Sequence, residues 1–178
     1  MHNIQIHSNG ICSEAKFIAS PNIDARPSQE DISLIVIHNI SLPPNQYGGN
    51  GVVELFTNQL NTNEHPYYAE IAHLKVSSHF FISRNGELIQ FASCNDRAWH
   101  AGASNWKGRE RCNDFSIGIE LEGSDFEAFE PIQYEILKTL IASIKARYPI
   151  QEITGHSDIA PGRKTDPGPY FDWLRINT

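Results

Sequence analysis

The feature that most constrains the fold is the continuous apolar run LIVI at residues 34–37, which His38 and Asn39 follow directly. A short uninterrupted run rich in β-branched side chains is typical of a strand buried on both faces. The chain then reaches Pro43 and Pro44, which lack the N–H group that a strand ladder needs. The sequence therefore predicts a central strand that delivers a histidine at its end.

Two more patterns indicate that this strand belongs to a sheet. The apolar-rich runs 79–84 and 87–91 flank an Asn-Gly dipeptide, which is the strongest short-range signal for a β-hairpin. Residues 115–121 alternate, with isoleucines and a leucine at every second position. Successive side chains of a strand point to opposite faces, so we expect Glu120 to point away from these apolar side chains.

Two segments have helical spacing. Residues 51–60 predict a short helix, and residues 131–148 predict one long amphipathic helix with a proline suited to its first turn. The C-terminal stretch GHSDIAPGRKTDPGPYFDW is rich in proline and glycine and predicts a long loop. Long irregular segments of compact domains often carry function.

The length of 178 residues favours one domain over residues 1–178. Residues 1–30 are polar and interrupted by prolines, and we expect them to wrap around a catalytic core of residues 31–178. The patterns together predict the α/β class, or the related α+β arrangement: a central mixed β-sheet flanked by helices, with the functional site at one edge of the sheet.

The net charge limits the classes of binding partner that suit this chain, and the cysteines indicate its cellular compartment. The formal net charge of −7 argues against a nucleic acid or an anionic membrane as the main partner. The sequence has neither a signal-peptide pattern nor an apolar run long enough to span a bilayer. Three widely spaced cysteines without a C-x-x-C pair favour reduced thiols. We therefore expect a cytoplasmic protein without an obligate protein partner.

Five residues are candidates for the chemistry. His38, His156 and Asp166 form a set of two imidazoles and one carboxylate, which is common in catalytic zinc sites. Glu120 is suited to act as a general base. Lys164 lies two residues before Asp166, so its cation can come close to a metal bound there and stabilise an oxyanion. Eight histidines offer many pairs, however, and surface or core roles remain open on spacing alone.

Six segments between Pro21 and the C-terminus form a more specific pattern: VIHNISLPP, HPYYAEIAHL, VSSHFFI, RAWHAG, GRERCNDFSIGIELEG and TGHSDIAPGRKTDPGP. In these segments the chain resembles the AmpD-type 1,6-anhydro-N-acetylmuramyl-L-alanine amidases, within the wider type-2 amidase and peptidoglycan-recognition fold. The resemblance implies zinc-dependent hydrolysis of the amide bond between (1,6-anhydro-)N-acetylmuramic acid and L-alanine of muropeptides, in cell-wall recycling.

The resemblance also implies roles for individual residues. The zinc ligands of the family fall on His38, His156 and Asp166, and its catalytic residues on Glu120 and Lys164. Its contacts to the small-molecule anhydromuropeptide substrate fall on three further residues: Asn39, Trp99 and Arg111. From the residues alone, Trp99 could equally pack in the core, and Arg111 could belong to a solvated charge cluster on a loop.

One position departs from the family pattern. Close relatives carry arginine where this chain has Lys75, and a lysine keeps the charge without the bidentate contact that a guanidinium makes to a carboxylate. Lys75 therefore remains a candidate substrate-binding residue with a single-point contact.

Two alternatives to an enzyme stay open. A recognition module would bind muropeptides on the same fold without cleaving them, and loss of a ligand would be its signature. A structural zinc site is disfavoured because three protein ligands leave the tetrahedron open. We expect the remaining residues of interest to be structural: His65, His73, His79, His100 and Cys112.

Overall fold

A mixed six-stranded sheet is the framework of the protein in the computed structural model, which describes residues 4–176. The strands of this range are β1 (Lys16–Phe17), β2 (Ile23–Ala25), β3 (Leu34–Ile40), β4 (Phe80–Ile82), β5 (Leu88–Gln90), β6 (Asp96–Ala98), β7 (Asn105–Trp106), β8 (Arg109–Glu110), β9 (Ser116–Glu122) and β10 (Glu152–Gly155). The α-helices are α1 (Gly51–Phe56), α2 (Pro66–Ile71), α3 (Pro131–Arg147) and α4 (His156–Ile159). Single turns of 3-10 helix lie at Cys112–Asp114 and Trp173–Arg175.

The strand order of the main sheet is β1-β5-β4-β9-β3-β10. Strands β10, β3, β9 and β4 are parallel to one another, whereas β5 is antiparallel to β4. The two seven-residue strands, β3 and β9, are therefore neighbours in the interior of the sheet, and β10 forms the edge beside β3. Two small antiparallel ribbons pair β2 with β6 and β7 with β8. The predicted α/β class, with a central mixed sheet flanked by helices, is confirmed.

One face of the sheet forms the main hydrophobic core with α3. Ile35 and Ile37 of β3 pack there beside Ile117, Ile119 and Leu121 of β9. The side chains that α3 adds are Ile136, Leu137, Leu140, Ile141 and Ile144. Each such side chain contributes about 1.5–3 kcal/mol when it is fully buried. The predicted long amphipathic helix is therefore the element that anchors this face.

The opposite face of β3 and β9 carries polar side chains. His38 and Glu120 are direct partners in the parallel pairing of the two strands, and both point away from α3. Helices α1 and α2 pack on Phe81 and Ile89 of the neighbouring hairpin. A cleft remains above Glu120, because these helices cover only part of the face.

The elements differ from the sequence predictions mainly at their ends. The predicted hairpin is formed by β4 and β5, with Gly86 at a φ of 86° in the connection. Strand β3 continues through His38 to Ile40, because its pairing with β9 extends to the end of both strands. The prediction of a fully irregular C-terminal loop was wrong at α4, which begins where the Asp158 carboxylate accepts the Gly155 N–H group at 2.9 Å.

The N-terminal segment is tied to the sheet and does not only wrap around it. Strand β1 extends the sheet beside β5. The Arg26 guanidinium donates to four main-chain carbonyl oxygens, those of Cys94, Asn113, Asp114 and Ser116. These bonds hold the segment before β9 and the first residue of that strand.

The ends of the predicted domain of residues 1–178 reach beyond the described part of the chain, because residues 1–3 and 177–178 lie outside it. Between residues 4 and 176, none of the helices combines the length and the apolar character needed to cross a bilayer.

Candidate metal centre and catalytic cleft

Three side chains that are far apart in sequence converge above the polar face of the sheet. Nδ1 of His38 lies 2.9 Å from Nδ1 of His156, and each of these nitrogens lies 3.0 Å from Oδ2 of Asp166. Both imidazoles are buried, and Asp166 is partly exposed. The three residues predicted as metal ligands thus present one donor atom each to a common point.

The backbone around α4 places two of these side chains next to each other. His156 is the first residue of α4. The N–H group of the next residue, Ser157, donates to the main-chain carbonyl oxygen of Asp166 at 2.9 Å. This bond folds the C-terminal loop back on itself, so that Asp166 lies beside His156.

The donor set fits a metal ion. Donors that are 2.0–2.1 Å from a tetrahedral ion lie roughly 3.3 Å from one another, close to the separations of 2.9–3.0 Å in the cluster. Burial lowers the pKa of His38 to about 4, against the effect of its hydrogen bond to Asp166, and leaves a neutral imidazole at pH 7. On the far side of His156, Nε2 lies 3.1 Å from the Ala101 carbonyl oxygen, which only accepts. Nε2 therefore carries the proton, and Nδ1 is free to bind a metal.

Glu120 lies next to this cluster with one oxygen unpaired. Oε1 is 3.9 Å from Nδ1 of His38, and Oε2 is buried without a hydrogen-bonding partner among the described residues. Burial and the negative charge of Asp166 raise the pKa of Glu120 well above its ordinary value, and the charge of Lys164 opposes this shift. A buried, unpaired carboxylate with a shifted pKa is costly for a fold and is typical of functional sites.

The cluster lies in a cleft of about 450 Å³. Glu120, His156 and Asp166 contribute to its lining, and Lys164 lies at the same cleft with its side chain exposed. The rest of the lining includes an apolar region formed by Tyr67, Ile71, Leu74 and Val76. A concave site of this size, lined by both polar and apolar side chains, suits a small organic ligand that carries both kinds of group.

Two of the four predicted substrate-binding residues line this cleft. Trp99 is half-buried in its wall. The Nδ2 amide of Asn39 donates to Oδ1 of Asp125 at 2.7 Å and to the Pro167 carbonyl oxygen at 3.0 Å. Both N–H bonds of this amide are therefore used within the protein, and its Oδ1 is the atom left to accept from a ligand.

The other two, Lys75 and Arg111, are not among the residues that line the cleft. Lys75 is exposed between Leu74 and Val76, which do line it. The Arg111 side chain is 70% exposed, and its Nε lies 3.2 Å from Oδ2 of Asp114. The structure thus brings Asn39 and Trp99 to the cleft wall and leaves these two cations outside it.

Sequence analysis missed one contact of the metal cluster. His100, expected to be structural, places its Nδ1 2.9 Å from Nε2 of His38. No local motif indicates this contact, because the two residues are 62 positions apart. His65 does have a structural role, since it accepts from the Tyr67 N–H group at the start of α2.

Two other residues behave as predicted. His79 is fully buried, and its Nδ1 accepts from the Gly118 N–H group at 3.0 Å. Cys112 is fully buried, and Cys12, Cys94 and Cys112 are all free thiols. None of these side chains belongs to the metal cluster.

An open set of two imidazoles and a carboxylate, beside a buried glutamate in a cleft, is typical of a metal-dependent hydrolase. Residues 28–169 match the family model described as N-acetylmuramoyl-L-alanine amidase. This range contains every candidate site residue. The chain belongs to this amidase family.

Individual relatives agree with this conclusion. The chain is 53% identical over 169 residues to the 1,6-anhydro-N-acetylmuramyl-L-alanine amidase AmpD of Citrobacter freundii, with coverage of 94% of this chain and 90% of the relative. A crystal structure of a selenomethionine AmpD derivative matches with a TM-score of 0.93 at 53% identity, over 95% of this chain and 96% of that one. The complex of Escherichia coli AmiD with anhydro-N-acetylmuramic acid-L-Ala-D-γ-Glu-L-Lys matches with a TM-score of 0.60 at 31% identity, over 98% of this chain and 64% of that one.

We expect the purified protein to hold about one divalent metal ion per chain. Asp166→Ala removes one of three donors and should lower the metal content strongly, whereas His73→Ala, at an exposed position, should not. The measurement is elemental analysis after extensive dialysis. If His156→Ala and Asp166→Ala both retain the wild-type content, the ion binds elsewhere.

Proposed function

We propose that this protein hydrolyses the amide bond between N-acetylmuramic acid, in its 1,6-anhydro form, and the L-alanine of muropeptides, as a step of cell-wall recycling. The observation that carries the proposal is the open donor set of His38, His156 and Asp166 beside the unpaired carboxylate of Glu120. The relatives described above, the AmpD amidase of Citrobacter freundii and the substrate complex of Escherichia coli AmiD, support the choice of bond and of substrate.

We propose zinc as the metal. Two imidazoles and one carboxylate are a common catalytic zinc set, and the fourth position of the tetrahedron is left open for a reactant. His38 and His156 would hold the ion through Nδ1, and Asp166 through Oδ2. When bound, zinc supplies Lewis acidity, which polarises a carbonyl group and makes a water molecule more acidic.

Glu120 is the general base in this proposal. Its unpaired Oε2 accepts a proton from the attacking water, and the raised pKa makes the carboxylate a stronger base. The same carboxyl group then donates that proton to the nitrogen of the L-alanine amine as the C–N bond breaks. The products are the lactyl carboxylate of the sugar and a peptide with a free amino terminus.

Lys164 stabilises the negative charge that develops on the carbonyl oxygen. It lies at the cleft with its ammonium exposed, and its charge already acts on the pKa of Glu120. A fixed cation near a developing oxyanion lowers the barrier to amide hydrolysis.

The substrate would lie along the cleft between the polar and the apolar region. Oδ1 of Asn39 accepts from an amide N–H group of the substrate, and Trp99 provides a surface for an apolar or sugar ring. Arg111 and Lys75 bind the anionic peptide stem, which extends beyond the cleft wall. Arg111 carries a guanidinium suited to a carboxylate, while Lys75 adds a single-point charge.

We further propose that the protein acts in the cytoplasm, without an obligate protein partner. Its free and buried cysteines agree with a reducing compartment. Every residue that the proposed reaction uses comes from this one chain.

The decisive experiment is mass spectrometry of the protein incubated with a defined anhydromuropeptide. We expect two products, anhydro-N-acetylmuramic acid and the free peptide, and no products after treatment with a chelator. Zinc added back should restore turnover. Binding of the intact muropeptide without cleavage would instead support a recognition module.

Glu120→Gln should lower kcat by about two to four orders of magnitude, because the amide cannot take the proton of the attacking water. Folding and zinc content should remain at wild-type levels. Glu135→Gln, at an exposed position of α3, is the matched control and should leave kcat unchanged. Near-normal turnover of zinc-loaded Glu120→Gln would remove Glu120 from the mechanism.

Arg111→Gln should raise KM about tenfold, the equivalent of ~1.4 kcal/mol of binding free energy, and leave kcat nearly unchanged. Loss of a contact made equally in the ground state and the transition state has this signature. Lys75→Arg should lower KM, whereas Arg147→Gln, at the end of α3, should not change it. If KM for a substrate with a full peptide stem stays constant in the first two variants, the stem carboxylates bind elsewhere.

A further inference from the structure

A third buried imidazole, that of His100, lies behind the two imidazoles of the metal cluster. The ring of His100 stands edge-on to that of His38, with centroids 5.0 Å apart and Nδ1 2.9 Å from Nε2 of His38. Gly118 of β9 leaves the space for this ring, because a Cβ atom there would lie 2.5 Å from Cγ of His100. The central strand is therefore shaped to accept His100.

The hydrogen bonds around Ser116 fix where the proton of His100 lies. Oγ of Ser116 is 2.6 Å from the carbonyl oxygen of Cys112, and two oxygens this close need a proton between them. The carbonyl has none, so the serine hydroxyl donates there. Oγ can then only accept from Nε2 of His100, which is 3.1 Å away. His100 carries its proton on Nε2 and a lone pair on Nδ1.

The same argument continues to the metal ligand. Nδ1 of His100 accepts, so Nε2 of His38 must donate. The neutral ring of His38 then has its lone pair on Nδ1, the atom that faces His156 and Asp166. The opposite tautomer of His100 would place a proton on the metal-facing nitrogen of His38.

One short stretch of backbone serves both histidine ligands. His100 accepts from His38, and the carbonyl oxygen of Ala101 accepts from His156. The N–H groups of His100 and Ala101 both donate to Oδ1 of Asn113, at 3.1 and 2.8 Å. The two acceptors are thus held at fixed positions relative to each other.

We propose that His100 is a positioning residue for the metal site: it keeps Nδ1 of His38 unprotonated and directed at the ion. The inference rests on the metal site of the proposed function. A histidine that only filled space would be replaceable by an apolar side chain without a change in metal affinity. A hydrogen-bond acceptor that orients a ligand would not, because outer partners of a metal-bound histidine commonly contribute 10–100-fold to affinity.

The test is the dissociation constant for zinc, measured on the full chain by competition with a chelator. His100→Leu removes the acceptor and should raise this constant about 10–100-fold. His100→Asn places a carbonyl oxygen near the position of Nδ1 and should recover most of the lost affinity. Circular dichroism checks that each variant is folded.

His79→Leu is the matched control. His79 is another buried imidazole, with its ring centroid 5.7 Å from that of His100, and its ring nitrogens lie next to Gly118, Arg26 and Asp96 rather than a metal ligand. This substitution should lower the midpoint temperature of unfolding and leave the dissociation constant for zinc unchanged. Equal weakening of zinc binding in His79→Leu and His100→Leu would show a general packing effect and overturn the proposal.

A second measurement needs no substitution. In the zinc-loaded wild type, long-range ¹H–¹⁵N NMR should show His100 protonated on Nε2 alone, and a proton on Nδ1 would overturn the proposal even if the leucine variant does not fold. Failure of the wild type to bind zinc would contradict the proposed function as well. Wild-type zinc affinity in folded His100→Leu would contradict the role of His100 alone.

Discussion

The parallel pairing of β3 with β9 is the constraint on which the site depends. It sets His38 directly beside Glu120 in the interior of the sheet, where both side chains are buried. The opposite face of the same two strands is locked onto α3 by isoleucine and leucine side chains. A shift of one residue in this pairing would turn the polar side chains into the core and the apolar ones into the cleft. Fold stability and site geometry therefore select the same register.

Burial then gives these side chains their chemical character. The same environment that keeps His38 neutral raises the pKa of Glu120. Each shift has desolvation as its largest cause, and for each group the neutral form is the one that burial favours. Burial on a central strand thus leaves an imidazole free to bind a metal ion and makes a carboxylate a stronger base.

Local sequence patterns predicted the strands β3, β4, β5 and β9, the helices α1 and α3, and the direction of the Glu120 side chain, because each depends on neighbours along the chain. The alternation around Glu120 and the Asn-Gly hairpin are of this kind. Local patterns did not predict α2 or β10. Spacing alone could not single out the group of His38, His156 and Asp166, because His38 is 118 positions from His156 and 128 positions from Asp166. The family resemblance was needed to select these three residues. The contact of His100 with His38 and the start of α4 at His156 escaped prediction. The contact joins segments that the sequence does not show to be adjacent, and α4, with four residues, is too short to produce a periodic pattern.

The ligands come from two different parts of the fold: His38 from the central strand β3, and His156 and Asp166 from α4 and the loop that follows it. An ion bound to both would act as a cross-link between the sheet and the loop, closing a stretch of more than one hundred residues. Lys164 lies on that loop, two residues before Asp166. Occupancy of the metal centre would therefore also restrain the backbone that carries the oxyanion-stabilising cation.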